Sequence, residues 1–227
     1  MPYIRLTIIT MLLSMALLLQ ACSKSSASSQ AEHVRGTIES LDGQVLTVAT
    51  SDGSVRVQLP PSPVIATVVQ SDSSHLTDGS FLGITSVAEP DGSRRAVEVH
   101  VFPEAMRGTG EGNYTWDWPD ASGNSKMTNG TASKMTNGTV SNSKMTNGTV
   151  TAQDGGSSLT LQYKDGASGG SQAITIPPGI PIVALEPGRL SDLQPGVHVF
   201  IVATRDSAGA LTAARVLAGK NGVVPPM

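Results

Sequence analysis

The sequence predicts an all-β protein built from two small barrels in tandem, and three observations support this. Glycine and proline are abundant, with 24 and 14 residues, whereas aromatic residues make up only 4% of the chain. Glycine supplies positive φ and proline fixes φ, so this composition suits short strands joined by tight turns. Apolar residues alternate with period two, as half-buried strands require. A long internal repeat then divides the strands between two copies of one module.

The internal repeat begins at Gly36-Thr37-Ile38 in the first copy and at Gly148-Thr149-Val150 in the second. Further matches follow in the same order: Asp42-Gly43 with Asp154-Gly155, Leu46-Thr47-Val48 with Leu159-Thr160-Leu161, Pro60-Pro61 with Pro177-Pro178, and Leu76-Thr77-Asp78-Gly79 with Leu193-Gln194-Pro195-Gly196. Matches that keep their order over so long a stretch predict that the two copies share one fold.

Each copy contains about five or six predicted strands. Alternating stretches such as Val55–Leu59 and Val97–Val101 indicate strands with one apolar face. Asp-Gly pairs, as at Asp52-Gly53 and Asp91-Gly92, indicate hairpin turns between them. A single open sheet of this size would expose its apolar face to water. We therefore expect each copy to close into a small barrel.

The length of each copy, its meander of strands and its Leu-x-x-Gly turns at Leu76–Gly79 and Leu193–Gly196 resemble the OB-like barrels of uncharacterised bacterial exported proteins. The resemblance implies two tandem OB-like β-barrels, over residues 32–102 and 143–219. Its motifs are turn residues, so it implies no catalytic group. Residues 103–142 are rich in Gly, Asn and Ser, and we expect them to form the linker. Residues 220–227 are expected to be a loose tail.

Residues 1–21 have the layout of a secretory signal, in which Arg5 precedes an apolar run that is too short to span a membrane as a helix. The run ends on Leu19-Gln20-Ala21-Cys22, which resembles the lipobox of bacterial lipoproteins and implies that Cys22 is lipidated. Cys22 is the only cysteine of the chain, and lipidation would account for an unpaired thiol in an exported protein. An ordinary cleaved signal that happens to end near a cysteine is the alternative.

These features predict a bacterial envelope protein that faces the periplasm. Residues 22–31 are Ser-rich and are expected to be a flexible tether between the lipid and the first barrel. Ser23 after the lipidated cysteine resembles the signal for the outer membrane, which we favour over the inner one. The membrane, reached through the lipid, is thus one predicted partner.

Charge and motifs exclude several classes of function. The net charge of −3 argues against binding of nucleic acid, which needs a basic surface. The sequence has no phosphate-binding Gly loop that ends in Lys-Ser or Lys-Thr, and no His-Glu-x-x-His. We therefore predict a protein that is not an enzyme and uses no cofactor.

Three aromatic residues, Tyr114, Trp116 and Trp118, lie among carboxylates such as Glu111 and Asp117. Clusters of this kind can bind sugars or supply an acid and a base. A Gly-rich linker offers no rigid frame to set the spacing of two carboxylates, so we do not predict a glycosidase. The aromatic residues are interpreted first as a clasp that holds the linker on a barrel and second as a surface for a protein or polymer partner.

Methionine and histidine suggest an alternative function. The thioethers of Met127, Met135 and Met145 recur in a repeat and suit Cu(I), and His100 and His198 lie on predicted strands. The histidines are not at metal-ligand spacing, so solvated strand histidines are the preferred interpretation. A periplasmic protein that handles copper or zinc remains the alternative to a binding or accessory protein with an envelope partner.

The heptad Ser-Lys-Met-Thr-Asn-Gly-Thr occurs three times, at Ser125–Thr131, Ser133–Thr139 and Ser143–Thr149. The third heptad runs into Gly148-Thr149-Val150, so we expect it to begin the first strand of the second barrel. The two earlier heptads are then interpreted as linker expansion by duplication. A ligand-binding array is the alternative.

Overall fold

The computed structural model describes residues 31–117, 124–136, 157–165 and 168–227. All of them belong to one compact unit, Ala31–Met227. The predicted signal, the lipidation site Cys22 and the tether as far as residue 30 lie outside the described residues, as do Trp118 and Met145. Within the four described ranges, the structure contains no helix with the length and apolar character of a membrane span.

The described chain is all-β, as predicted. Its strands are β1 (Ala31–Asp42), β2 (Val45–Thr50), β3 (Gly53–Gln58), β4 (Ile65–Gln70), β5 (Phe81–Ala88), β6 (Arg94–Val101), β7 (Gly112–Thr115), β8 (Ser125–Thr136), β9 (Ser157–Asp165), β10 (Ser168–Ile176), β11 (Ile182–Pro187), β12 (His198–Arg205) and β13 (Leu211–Gly219). Short 3-10 turns at Ser73–His75, Glu104–Met106 and Leu190–Asp192 lie between strands.

Hydrogen bonding joins the strands into two closed circuits of five. In the first circuit β1, β2 and β3 follow one another, β3 pairs in parallel with β13, and β12 closes the circuit between β13 and β1. In the second, β8, β9 and β10 follow one another, β10 pairs in parallel with β6, and β5 closes it between β6 and β8. The antiparallel pair β4–β11 connects the two circuits, because β4 also pairs with β13 and β11 with β6.

The tandem arrangement predicted from the repeat is wrong in one respect, because neither sequence copy closes a circuit by itself. Each circuit takes three strands from one copy and two strands from the other. After β3 the chain crosses through β4 into the second circuit, and after β10 it returns through β11. The two copies present nearly equivalent strand edges. The sequence repeat would therefore look the same whether a strand pairs within its own copy or with the other copy.

The repeat itself is visible in the packing of the two apolar interiors. The first contains Leu46, Val48, Val57, Leu59, Val199, Ile201, Ala213 and Val216, and the second contains their counterparts Leu159, Leu161, Ile174, Ile176, Leu82, Ile84, Ala96 and Val99. The register also shifts at matching places, after Ile38 in β1 and after Ala132 in β8. Both circuits therefore have the same five-stranded frame, built from equivalent residues.

The position expected for the third heptad is taken by the first. Gly36 faces Val199 on β12, and the equivalent pair on β5 and β8 is Leu82 with Gly130 of the first heptad. An added Cβ would overlap a carbonyl oxygen at both glycines, that of Ala49 at Gly36 and that of Gln162 at Gly130. This position in the strand needs an Asn-Gly-Thr sequence, which all three heptads supply. The sequence alone therefore pointed to the third heptad instead of the first.

Two further expectations are corrected. Residues 103–142, expected to be a linker, contain β7 and β8, and β8 pairs with β5, β7 and β9. The tail 220–227, expected to be loose, packs through Val223 and Met227 on a third apolar cluster that includes Ala66, Val183 and Phe200. This shared cluster lies outside both interiors and combines β12 and β13 of the first circuit with the connecting pair β4–β11.

Candidate functional site

A cavity of about 300 Å³ lies against the shared cluster, where the outer faces of the two circuits meet. Strands β1, β12 and β13 of the first circuit and β6 and β8 of the second supply side chains to this region. In all of them one set of residues points into the circuit and the alternate set points here. The segment around β7 and the C-terminal residue Met227 complete the lining.

One wall of the cavity is aromatic. The Trp116 ring centroid lies 4.6 Å from His33, 5.9 Å from Phe200 and 6.1 Å from Tyr114. Trp116 is held by backbone bonding to the first heptad, since its N–H donates to the carbonyl of Ser125 at 3.1 Å. Its indole Nε1 is buried and has no hydrogen-bond partner among the described residues. The aromatic residues of the predicted linker therefore span both circuits.

Asp117 fixes this wall from outside. Its carboxylate accepts hydrogen bonds from Arg35 at 2.9 and 3.0 Å and contacts His33 Nδ1 at 2.7 Å. Partial burial raises its pKa, but the hydrogen bonds from Arg35 and His33 outweigh burial and bring the pKa to about 2. The Arg35 guanidinium also lies 5.0 Å from the Phe200 ring centroid. The Arg35 guanidinium therefore already has its partners within the chain.

A buried imidazole, His100, lines the cavity and lies beside the buried carboxyl of Glu98. Glu98 and His100 are 0% and 1% exposed, and Glu98 Oε2 lies 3.7 Å from His100 Nε2. Thr85 donates to the other carboxyl oxygen, and His100 bonds to the backbone of Pro226. Glu98 Oε2 and His100 Nε2 have no hydrogen-bond partner among the described residues.

Burial sets the charge of this pair. It raises the pKa of Glu98 to about 8, although the Thr85 hydrogen bond and the charge of Arg35 oppose the rise. It lowers the pKa of His100 to about 4, against the effect of the Pro226 backbone. At neutral pH the carboxyl is therefore mostly protonated and the imidazole uncharged. The pair offers a neutral donor and a neutral acceptor next to the cavity.

Asn129 of the first heptad adds a third polar group. Its Nδ2 donates to the carbonyl of Gly110 at 2.9 Å and to the Tyr114 hydroxyl at 3.0 Å. Its Oδ1 is buried and unpartnered within the described part of the chain. Met127, two residues earlier on β8, also lines the cavity. The heptad sequence thus supplies an apolar and a polar side chain to one wall.

The structure brings together some of the predicted site residues and not others. Tyr114 and Trp116 line the cavity, and so do Met127 and His100 from the predicted metal set. His198 lies outside the cavity lining and hydrogen bonds to Thr37 Oγ1 at 3.0 Å. Met135 lies on β8 opposite Leu159. No group of three or more His, Cys, Asp or Glu side chains in the described ranges could hold a metal ion.

Sequence reasoning missed Glu98, Asn129 and Arg215. The repeat contained a signal for these residues. Positions that face the interiors are apolar in both copies. Outward-facing positions differ: the copies have Glu98 against Arg215, His100 against Leu217, Thr85 against Val202 and Gly83 against Phe200. The copies thus diverge in chemistry where the cavity lies.

Comparison of the chain with protein-family models, curated proteins and solved structures finds no match in any of the three.

Proposed function

We propose that the chain is a non-enzymatic binding protein of the bacterial cell envelope and that its ligand occupies this cavity. The proposal rests on two buried polar atoms that have no partner among the described residues, His100 Nε2 and Asn129 Oδ1. They lie beside an otherwise apolar and aromatic space. A buried polar group without a partner is costly, and most are bonded in folded proteins. A few converging polar groups in an apolar pocket are typical of a small-molecule site.

The cavity favours a small molecule over the envelope protein or polymer suggested by exposed tryptophans. Trp116 faces His33 and Phe200 within the chain instead of forming a flat outer surface. A volume of about 300 Å³ is at the lower end of the range for small-ligand pockets. Tyr114, which is 39% exposed, lies where the cavity opens. Tyr114 and Trp116 are therefore assigned to the ligand, and Trp118 remains a proposed contact beyond the described residues.

We further propose that each five-stranded circuit is an OB-like barrel. Five strands that close around one apolar interior match the strand number of that fold. Gly36 and the register shift after Ile38 in β1 recur in β8 as Gly130 and the shift after Ala132, as expected for two copies of one barrel. The barrels differ from a simple tandem because their strands are exchanged between the sequence copies.

The proposed location is the periplasmic face of the envelope, with the outer membrane favoured, and the anchor is a lipid on Cys22. The Cys22→Ser variant should move from the membrane fraction to the soluble periplasmic fraction, because a signal without its lipidated cysteine leaves no anchor. The Ser23→Ala variant is the matched control and should stay with the membrane. Equal membrane recovery of the wild type and Cys22→Ser would contradict the anchor.

Binding in the cavity can be tested with N-phenyl-1-naphthylamine, an uncharged fluorophore that brightens in apolar surroundings. The wild type should give saturable binding to one site. Ala214 is exposed and lines the cavity, so Ala214→Trp should fill its mouth and abolish the signal. Thr212→Trp, also exposed on β13 but outside the cavity lining, is the matched control and should bind like the wild type. No saturable binding, or an equal loss in both variants, would refute the proposal.

A second candidate is the handling of copper or zinc, favoured because Met127 and His100 line the same cavity. Thioether and imidazole ligands suit Cu(I). Calorimetric titration with Cu(I), Cu(II) and Zn(II) should then give binding tighter than micromolar that is lost in Met127→Leu and His100→Leu. Binding no tighter than micromolar, or tight binding that both variants retain, would reject this function.

A further inference from the structure

Arg215 is a half-buried cation on β13 that lines the cavity. It makes no hydrogen bond or ion pair with the described part of the chain. Its charge is close enough to Tyr114 to act against the rise that burial causes in the pKa of that hydroxyl. A partly desolvated guanidinium without an anion is unfavourable unless something else supplies the negative charge.

Three other arginines have a carboxylate partner: Arg35 binds Asp117, Arg107 binds Glu104 and Arg205 binds Glu32. The charge of Arg215 has no such partner among the described residues. It is also a difference between the two copies, since the equivalent residue of the other copy is the buried Glu98.

The side-chain charges around the cavity do not cancel among the described residues. Asp117 is offset by Arg35 and by its contact with His33, and it lies outside the aromatic wall. Glu98 is deep and has Thr85 and His100 as neighbours. Arg215 is left as a cationic side chain with no anionic side-chain partner among the described residues. The cavity thus combines an apolar, aromatic lining and neutral hydrogen-bonding groups with this cation.

We propose that the ligand is a small aromatic or alicyclic acid whose ring lies beside Trp116 and Phe200 and whose anionic group pairs with Arg215. This inference rests on the proposed function, since it names the chemical class for the same cavity. A guanidinium binds a carboxylate through two parallel N–H donors, which orients a flat acid as well as attracting it. A neutral polar substituent of the ligand would pair with His100 or Asn129.

The test compares 2-naphthoate with 2-naphthol by isothermal titration calorimetry at pH 7. The two probes share a ring system, but only the first is an anion. The wild type should bind 2-naphthoate about five-fold more tightly, as expected for a charged hydrogen bond at a half-exposed site. Added salt should weaken the binding of 2-naphthoate and leave that of 2-naphthol unchanged.

Substitutions at Arg215 separate a ligand contact from a structural role. Arg215→Gln should bring 2-naphthoate to the affinity of 2-naphthol and leave 2-naphthol unchanged, whereas Arg215→Lys should retain part of the preference. Arg56→Gln, at an exposed arginine on β3, is the control and should keep the full preference. Equal affinity of the two probes in the wild type, or an equal loss of both in Arg215→Gln, would overturn the assignment of an acid. If neither probe binds to the wild type, the proposed function is overturned as well.

Discussion

Replacement of Glu98 by Gln should remove a fall in stability that the wild type shows in mildly alkaline solution. Glutamine has the shape of the protonated carboxyl. Its amide can accept from Thr85 and donate towards His100, so the neutral contacts of Glu98 are kept. The substitution removes only the ability to ionise.

The magnitude follows from the two buried groups. Burial raises the pKa of Glu98 from 4.5 to about 8, so the folded chain holds a proton that the unfolded chain releases above pH 4.5. Burial lowers the pKa of His100 from 6.5 to about 4, so the unfolded chain holds a proton that the folded chain does not hold below pH 6.5. The two effects have opposite sign and nearly cancel between pH 4.5 and 6.5. From pH 6.5 to 8 only that of Glu98 remains, and the free energy of unfolding should fall by about 2 kcal/mol.

The assay is chemical denaturation followed by tryptophan fluorescence at a series of pH values between 6.5 and 8.5. Glu98→Gln should show a flat free energy of unfolding over this range. Glu39→Gln, at an exposed carboxylate on β1, should keep the slope of the wild type. A wild type whose stability does not change between pH 6.5 and 8, or a Glu98→Gln variant with the wild-type slope, would refute the charge state assigned to this pair.

Two further predictions concern β8. Deletion of Ser125–Asn142 joins the third heptad to the preceding segment, so the same seven residues become available for strand β8. The melting temperature should therefore shift by no more than about 5 °C. Calorimetry that shows no cooperative transition would mean that only Ser125–Thr131 can form this strand. Gly130→Ala should lower the free energy of unfolding by about 2 to 3 kcal/mol, because its Cβ would meet the backbone oxygen of Gln162. Gly169→Ala is the control, because a Cβ added at Gly169 would have no atom closer than 3.6 Å. Equal losses of unfolding free energy in the two variants, measured by chemical denaturation, would contradict the prediction.

The sequence was sufficient for the fold class and for the repeated frame. Alternation identified residues such as Val57 and Leu59, which are buried in the first interior. It could not assign strand partners, because Leu82 and Val199 present equivalent edges to β8 and β1. Local patterns decide the strands, whereas the choice between equivalent edges depends on the path of the chain between them.

The candidate site was predictable only in part. Tyr114 and Trp116 were recognised because aromatic residues are rare in this chain. Glu98 and Arg215 were not, because a charged residue on the outer face of an alternating strand is expected to be solvated. Their importance depends on the packing of two outer faces against each other, which no single strand pattern contains.

The exchange of strands has a consequence for how the chain folds. The first circuit needs β1 and also β13, which ends at Gly219, so its ring of hydrogen bonds cannot form until nearly all of the polypeptide is present. Pairings this distant in sequence give a high contact order and slow folding. During synthesis the early strands would have unpaired edges with no partner yet made. Delayed folding of this kind is compatible with the proposed export, during which the chain would have to stay unfolded.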